Sequence, residues 1–93
     1  MKVIWSATAT AELDDHIRFV AQDRVAAAFQ VQDRILAAAR KIAEFPARGR
    51  PGRLAGSREF VVARTSCLIV YTIAAERIDI LRIMHGARQW PPE

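Results

Sequence analysis

Residues 47–57, A-R-G-R-P-G-R-L-A-G-S, divide the chain into two parts that obey different periodicities. Three glycines (Gly49, Gly52, Gly56) and Pro51 can sustain neither a helix nor a strand there, so the segment reads as a loop. Before it, apolar residues recur at helical spacing; after it, they alternate. A chain that runs through its helices first and its strands afterwards is expected to segregate the helices onto one face of an antiparallel sheet, an α+β arrangement.

Residues 2–5, K-V-I-W, are β-branched and aromatic and predict a first strand. Ser6 or Thr8 can cap the helix that follows. From Ala9 onward, Leu13, Ile17 and Val20 recur at helical spacing, while Glu12, Asp14, Asp15 and Arg18 fall largely on the other side. Asp14 and Arg18 are placed for an i,i+4 ion pair, and the early carboxylates suit the positive end of the helix dipole. The pattern breaks near Gln22, and Asp23 is the expected N-cap of a second helix beginning at Arg24 or Val25. There Val25, Ala28, Phe29, Ile35, Leu36, Ile42 and Ala43 form one broad apolar stripe. Alanines at 26–28 and 37–39 permit close approach, which predicts an antiparallel helical hairpin ended by Pro46.

Beyond the loop, residues 58–63 (R-E-F-V-V-A), 67–73 (C-L-I-V-Y-T-I) and 77–85 (R-I-D-I-L-R-I-M-H) predict three strands. Their short connections, around R-T-S and A-A-E, favour antiparallel neighbours. In the middle strand Leu68, Val70 and Thr72 point one way and Cys67, Ile69, Tyr71 and Ile73 the other, so both faces are apolar over most of their length. Strict alternation in the last strand puts Arg82 on one face with Ile78, Ile80 and Met84. One helical hairpin covers one face only. A second apolar face rimmed with arginine is where another chain is expected to lie, the alternative being closure by the loop and Trp90.

Ninety-three residues, 52% hydrophobic and 26% charged, suit a single domain over 1–93. The margin is small, since a domain of this size hides only about 60% of its unfolded surface. No apolar run approaches the ~20 residues of a membrane span, and the first residues lack a signal-peptide pattern, so a cytoplasmic protein is expected. Cys67 stands alone and cannot form an internal disulfide; His16 and His85 offer no metal-ligand spacing, and no metal or cofactor is expected. The net charge of +4 equals that of residues 48–64, where Arg48, Arg50, Arg53, Arg58 and Arg64 stand against Glu59. Twelve of the fourteen basic residues are arginine, the cation suited to bidentate contacts with carboxylates and phosphates. An acidic protein or a polyanion is the partner this implies, a solvated loop being the plainer reading.

The stretch M-H-G-A-R-Q-W-P-P, residues 84–92, sets an imidazole, a guanidinium and an indole close together. RNA cleavage by a ribose 2'-hydroxyl would need a base, an acid and cations for the charge gathering on the phosphate. His85 can carry one proton, and Arg58, Arg64, Arg82 and Arg88 can supply charge. No second proton carrier is expected near them: Glu59 alternates away from Arg58, Tyr71 sits mid-strand in a core role, and the indole of Trp90 does not titrate. Each of these residues also has a structural reading. His85 suits a partner role to a nearby carboxylate or backbone group, His16 a boundary position, Cys67 a small buried apolar one. Arg82 is either a surface residue at the sheet's edge or an anchor for a carboxylate, and Trp5 and Trp90 are core or interface aromatics.

Taken in order, the leading strand, the hairpin ending in A-E-F-P, then G-R-P-G-R, S-R-E-F-V-V, L-I-V-Y and I-L-R-I-M-H-G-A-R-Q-W-P resemble the toxins of the RelE/ParE superfamily of type II toxin–antitoxin systems. The resemblance covers essentially the whole chain. It implies an N-terminal strand and an antiparallel helical hairpin packed on one face of an antiparallel sheet. It also implies a co-encoded, ParD-like antitoxin whose C-terminal segment wraps the toxin in a hetero-oligomer. RelE-like members cut messenger RNA on the ribosome with basic residues on the sheet, among them an arginine just before the L-V-Y-type motif, and often a terminal tyrosine. ParE-like members lack that set and poison DNA gyrase. Here Leu68 lies three residues before Tyr71, the lysines are Lys2 and Lys41, and Trp90 stands where a tyrosine would close the chain.

The expectation is therefore a ParE-like toxin that acts by binding DNA gyrase, without making or breaking a covalent bond, and is neutralised by its antitoxin. The resemblance suggests Arg58, Arg64 and Arg82 as antitoxin contacts, apolar contributions around Leu13, Ile17 and Phe29, and toxicity in His85, Arg88 and Trp90. The alternatives are a RelE-like endoribonuclease using His85, Arg58, Arg82 and Arg88, or an inactive homologue that only binds its antitoxin. No helix reads as a DNA-recognition helix, so contact with DNA is expected through the antitoxin.

Overall fold

The computed structural model describes residues 1–86. Their elements run β1 (Lys2–Trp5), α1 (Ala7–Asp23), α2 (Val25–Glu44), a 3-10 turn (Pro46–Arg48), β2 (Arg50–Pro51), β3 (Arg58–Val61), β4 (Cys67–Ala74) and β5 (Arg77–His85). The five strands form one sheet in the order β1-β5-β4-β3-β2. Neighbours are antiparallel except β1 and β5, which run parallel from Lys2 opposite Arg77 to Trp5 opposite Ile80.

Ser6 ties the start of α1 to the sheet. Its backbone is extended, and its Oγ accepts the Ala9 N–H at 2.9 Å, the N-cap bond that satisfies one orphan donor of the first turn. The same hydroxyl donates to the Leu81 carbonyl at 2.9 Å, and the Ser6 N–H donates to the Ile80 carbonyl at 2.9 Å. At the other end of α1, Asp23 is the last helical residue and not the expected cap of α2. The Arg24 N–H still reaches the Val20 carbonyl at 3.0 Å, which keeps Asp23 inside the helix. Arg24 alone, in extended backbone, turns the chain into α2 with no side-chain cap. The expected Asp14–Arg18 pair is present at 3.1 Å, exposed on both sides.

The core lies between the hairpin and the sheet. Ala9, Ile35, Ala38, Ala39 and Ile42 of the helices meet Val62, Cys67, Ile69, Tyr71, Ile78, Ile80 and Ile83. The alanines let α2 approach closely while the isoleucines fill the gap. Sequence alternation fails at one point in β5. Val70 pairs with Arg82 and Tyr71 with Ile80, so Leu81 is an extra residue without a partner, a β-bulge. The bulge reverses the faces beyond it: Ile83 joins Ile78 and Ile80 beneath the helices, and Met84 turns to the opposite face. The expected common face of Ile78, Ile80, Arg82 and Met84 does not exist, because one inserted residue exchanges inside and outside.

On that opposite face the apolar surface is concentrated at one end. Leu68, Val70 and Met84 form a small cluster, beside which Val61, the register partner of Leu68, is 57% exposed. Toward the other end the face carries Thr72, Asp79 and Ile4, aligned by register. The sheet is thus half apolar on its far side rather than apolar throughout.

Candidate functional site

Arginine-rich residues 48–58 are organised by two side chains from the sheet. Tyr71, fully buried, donates its hydroxyl hydrogen to the Pro46 carbonyl at 2.7 Å and accepts the Gly49 N–H at 2.9 Å. A Cβ at position 49 would stand 2.6 Å from that hydroxyl oxygen, so the close approach requires glycine. Glu59, 2% exposed, accepts from Arg50 Nη2 at 3.2 Å, from the Arg53 N–H at 3.0 Å and from Arg53 Nη2 at 3.3 Å. One buried carboxylate therefore holds two of the loop's cations, which is how its own charge is accommodated away from water. Arg58 faces the 3-10 turn, donating to the Gly49 carbonyl at 2.6 Å and the Ala47 carbonyl at 3.3 Å. Arg48 lies over the exposed Phe45 ring, 5.4 Å from its centroid.

Next to this corner, α2 and β3 bound a groove of about 240 Å³. Arg34, Ala37, Ala38 and Lys41 form one wall, Phe60, Val61, Val62, Ala63 and Arg64 the other. β2 pairs only with Arg58 and Glu59, so among the described residues no strand lies along the outer edge of β3 from Phe60 onward. An edge of this kind, apolar in its walls and ringed by three cations, can accept an extended, acidic segment of another chain. Arg64 sits in left-handed backbone with φ of 62° at the turn into β4, its carbonyl accepting from Arg34 Nη1 at 3.2 Å.

Arg82 anchors a carboxylate, as one of its two expected readings had it, and the carboxylate is the chain's own Glu12. Its Nε and Nη2 meet Glu12 Oε1 and Oε2 at 2.9 and 2.7 Å, and the Ile83 N–H donates to Oε1 at 3.1 Å. The position explains the pair. β1 ends at Trp5, so beyond Ile80 the edge of β5 has lost its strand neighbour, and a helix carboxylate satisfies the backbone instead. The Glu12 hydrogen bond is the first cause of a raised Arg82 pKa.

His85 closes β5, and its neighbour was not anticipated. His16 of α1 stacks on it, ring centroids 5.3 Å apart and planes 19° apart, and the Phe19 ring stacks 6.5 Å from His16. Glu12, Asp15, His16, Phe19, Ile83 and His85 enclose a cavity of about 220 Å³. Burial, and after it the proximity of His85, push the His16 pKa below its usual 6.5. The expectation that no second titrating group stands near His85 is thus corrected: an imidazole and the Asp15 carboxylate share its cavity. Sequence spacing could not reveal this, because which turn of α1 faces the end of β5 is set by the parallel register of β1.

The three arginines expected at one interface are not brought together. Arg58 serves the 3-10 turn, Arg82 is held by Glu12, and Arg64 alone of the three lines the groove. Leu13 and Ile17 are half-buried beside Thr10, Asp14 and Gln32, while Phe29 is 63% exposed. The expected toxicity residues Arg88 and Trp90 lie outside the described residues. Cys67 is buried and burial raises its thiol pKa, as a structural cysteine requires. Among the described residues no cluster of His, Cys, Asp and Glu could hold a metal ion, and no helix is long and apolar enough to cross a membrane.

Residues 3–90 match the sequence profile described as the ParE toxin of type II toxin-antitoxin system, parDE. A Sinorhizobium fredii protein named "Putative toxin Y4kP" is 38% identical over 90 residues, 97% of this chain and 93% of its own length. Among solved structures, a chain from "Chromosomal ParDE TA system from P. aeruginosa" superposes with a TM-score of 0.82 at 23% identity, covering 91% of this chain and 95% of its own. That likeness supports the two-helix, five-strand arrangement described above.

Proposed function

Since the chain belongs to the ParE toxin family of type II toxin–antitoxin systems, we propose that it acts by binding, stalling DNA gyrase on DNA, and that a cognate ParD-like antitoxin neutralises it. The observation that carries this reading is the placement of the arginines. Catalysis on RNA needs cations gathered where charge develops on phosphate. Arg82 is spent on Glu12 and Arg58 on the carbonyls of the 3-10 turn, level with Tyr71 and four positions along β4 from Cys67, the partner of His85. Such side chains brace a surface rather than converge on a reacting atom.

For the antitoxin, the groove between α2 and β3 is the preferred seat. Arg34, Lys41 and Arg64 offer charge to an acidic segment, and the uncovered edge of β3 offers backbone groups for strand addition. Arg64 makes direct contact in this reading, and Arg58 and Arg82 contribute by holding the elements that frame the interface. The assembly is a cytoplasmic hetero-oligomer that reaches DNA through the antitoxin.

A second reading is favoured by one observation, the stacked His16–His85 pair, which supplies the two proton carriers an endoribonuclease needs. Expression of the chain alone in bacteria separates the two. Early DNA damage with filamentation and continuing protein synthesis is the expected outcome; an immediate stop in translation with cut transcripts, abolished by His85→Ala, would establish the ribonuclease instead. Normal growth would mark a homologue that only binds its antitoxin.

A further inference from the structure

The cavity between α1 and the end of β5 is built on two imidazoles face to face. Neutral rings stacked at 5.3 Å attract as aromatics do. Two imidazolium cations at that separation repel, and a half-buried site screens them less than water. What faces the pair decides whether the charge is compensated. From α1 come Glu12 and Asp15; Glu12 is already matched by Arg82, which leaves the exposed Asp15 to balance two cations. From β5 comes Arg82, itself a cation held on Glu12. From β4 the residue across from His85 is Cys67, a buried thiol. Among the described residues, none from α2 or β1 lines the cavity.

We propose that the His16–His85 stack is a proton-operated latch: neutral, it holds α1 against the end of β5; doubly protonated, it releases that junction at the root of residues 87–93. The latch goes beyond the toxin reading and does not depend on it. The lowered His16 pKa, caused first by burial and then by His85, agrees with a closed state that resists protonation. Glu12 and His16 stand one turn apart on the same face of α1, so release of the stack also draws Glu12 from the Ile83 N–H, which it accepts at 3.1 Å. That amide therefore reports the latch.

Amide exchange and imidazole titration by NMR on the full chain test it. The wild-type pair should take up its two protons in separated steps, as coupled sites do. The protection of the Ile83 amide should fall roughly tenfold from about pH 7.5 to about pH 5, while Ile69 of β4 remains the better protected at both. In a double variant, His16→Phe with His85→Phe, the rings remain and the protons do not, and Ile83 protection should stay level. The latch is overturned if the two imidazoles titrate independently in the wild type, if Ile83 protection ignores pH there, or if the double variant shows the same fall. The wild-type titration decides the matter even if the double variant does not fold.

Discussion

Two side chains of α1 reach the same stretch of β5 and do opposite things with charge. Glu12 is 10% exposed and its partner Arg82 25% exposed, and the carboxylate also serves the Ile83 backbone. Replacing Glu12 by Ala strands a mostly buried guanidinium and an edge N–H, which should lower unfolding free energy by about 2 kcal/mol, less than for a fully buried pair because Arg82 keeps some solvent. Urea denaturation measures it. His16 gives the pH dependence. Its folded pKa lies below the 6.5 of the unfolded chain, so the unfolded state binds more protons as pH drops. The contribution is complete above about pH 6.5 and is lost as pH falls from there through the folded value. Melting temperature should decline over that window in the wild type and less steeply in His16→Gln.

At the scale of elements, the 3-10 turn and β2 owe their positions to groups that a reading of the loop as featureless would miss. Tyr71 bonds both ends of the turn, its hydroxyl buried with Gly49 and half-buried toward Pro46. Tyr71→Phe removes both bonds and leaves the Gly49 N–H and Pro46 carbonyl without them, a cost of about 1–3 kcal/mol, with faster amide exchange concentrated at Gly49. Tyr71 as a core residue was readable from its mid-strand place between apolar neighbours. Its hold on the turn was not, since the two lie far apart in sequence. Glu59 was legible as alternating away from Arg58, yet its grip on Arg50 and Arg53 depends on the loop folding back over β3.

At the scale of the whole molecule, the hairpin covers one face of the sheet, while the outer edge of β3 and the apolar end of the far face meet at Val61. Val61 is exposed and belongs to the groove wall, so Val61→Glu should leave thermal stability within about 0.5 kcal/mol. If the antitoxin seats the acidic segment proposed for this groove, the same change sets a negative charge against it and removes an apolar contact, and should weaken antitoxin binding by tenfold or more, about 1.4 kcal/mol. Isothermal calorimetry with the purified antitoxin checks it; an unchanged affinity would move the interface away from this groove.

Sequence alone determined both helices, four of the five strands and their order, because helical spacing and alternation are local signals that survive without a partner surface; it missed β2 and the 3-10 turn, which lie in or beside the segment expected to hold neither helix nor strand. The Ser6 cap, the Asp14–Arg18 pair, the stop at Pro46 and the strands β1, β3, β4 and β5 follow from residues within a few positions of one another. Tertiary structure alone decided which distant groups meet. The bulge at Leu81 exchanged the faces of β5, the parallel β1–β5 register brought Glu12 to Arg82 and His16 to His85, and the fold-back of the loop gave Glu59 its arginines. Those contacts depend on register: alternation and turns fix it within a hairpin, but the bulge in β5 and the pairing of β1 with a strand more than seventy residues away are settled only when the sheet packs against its helices.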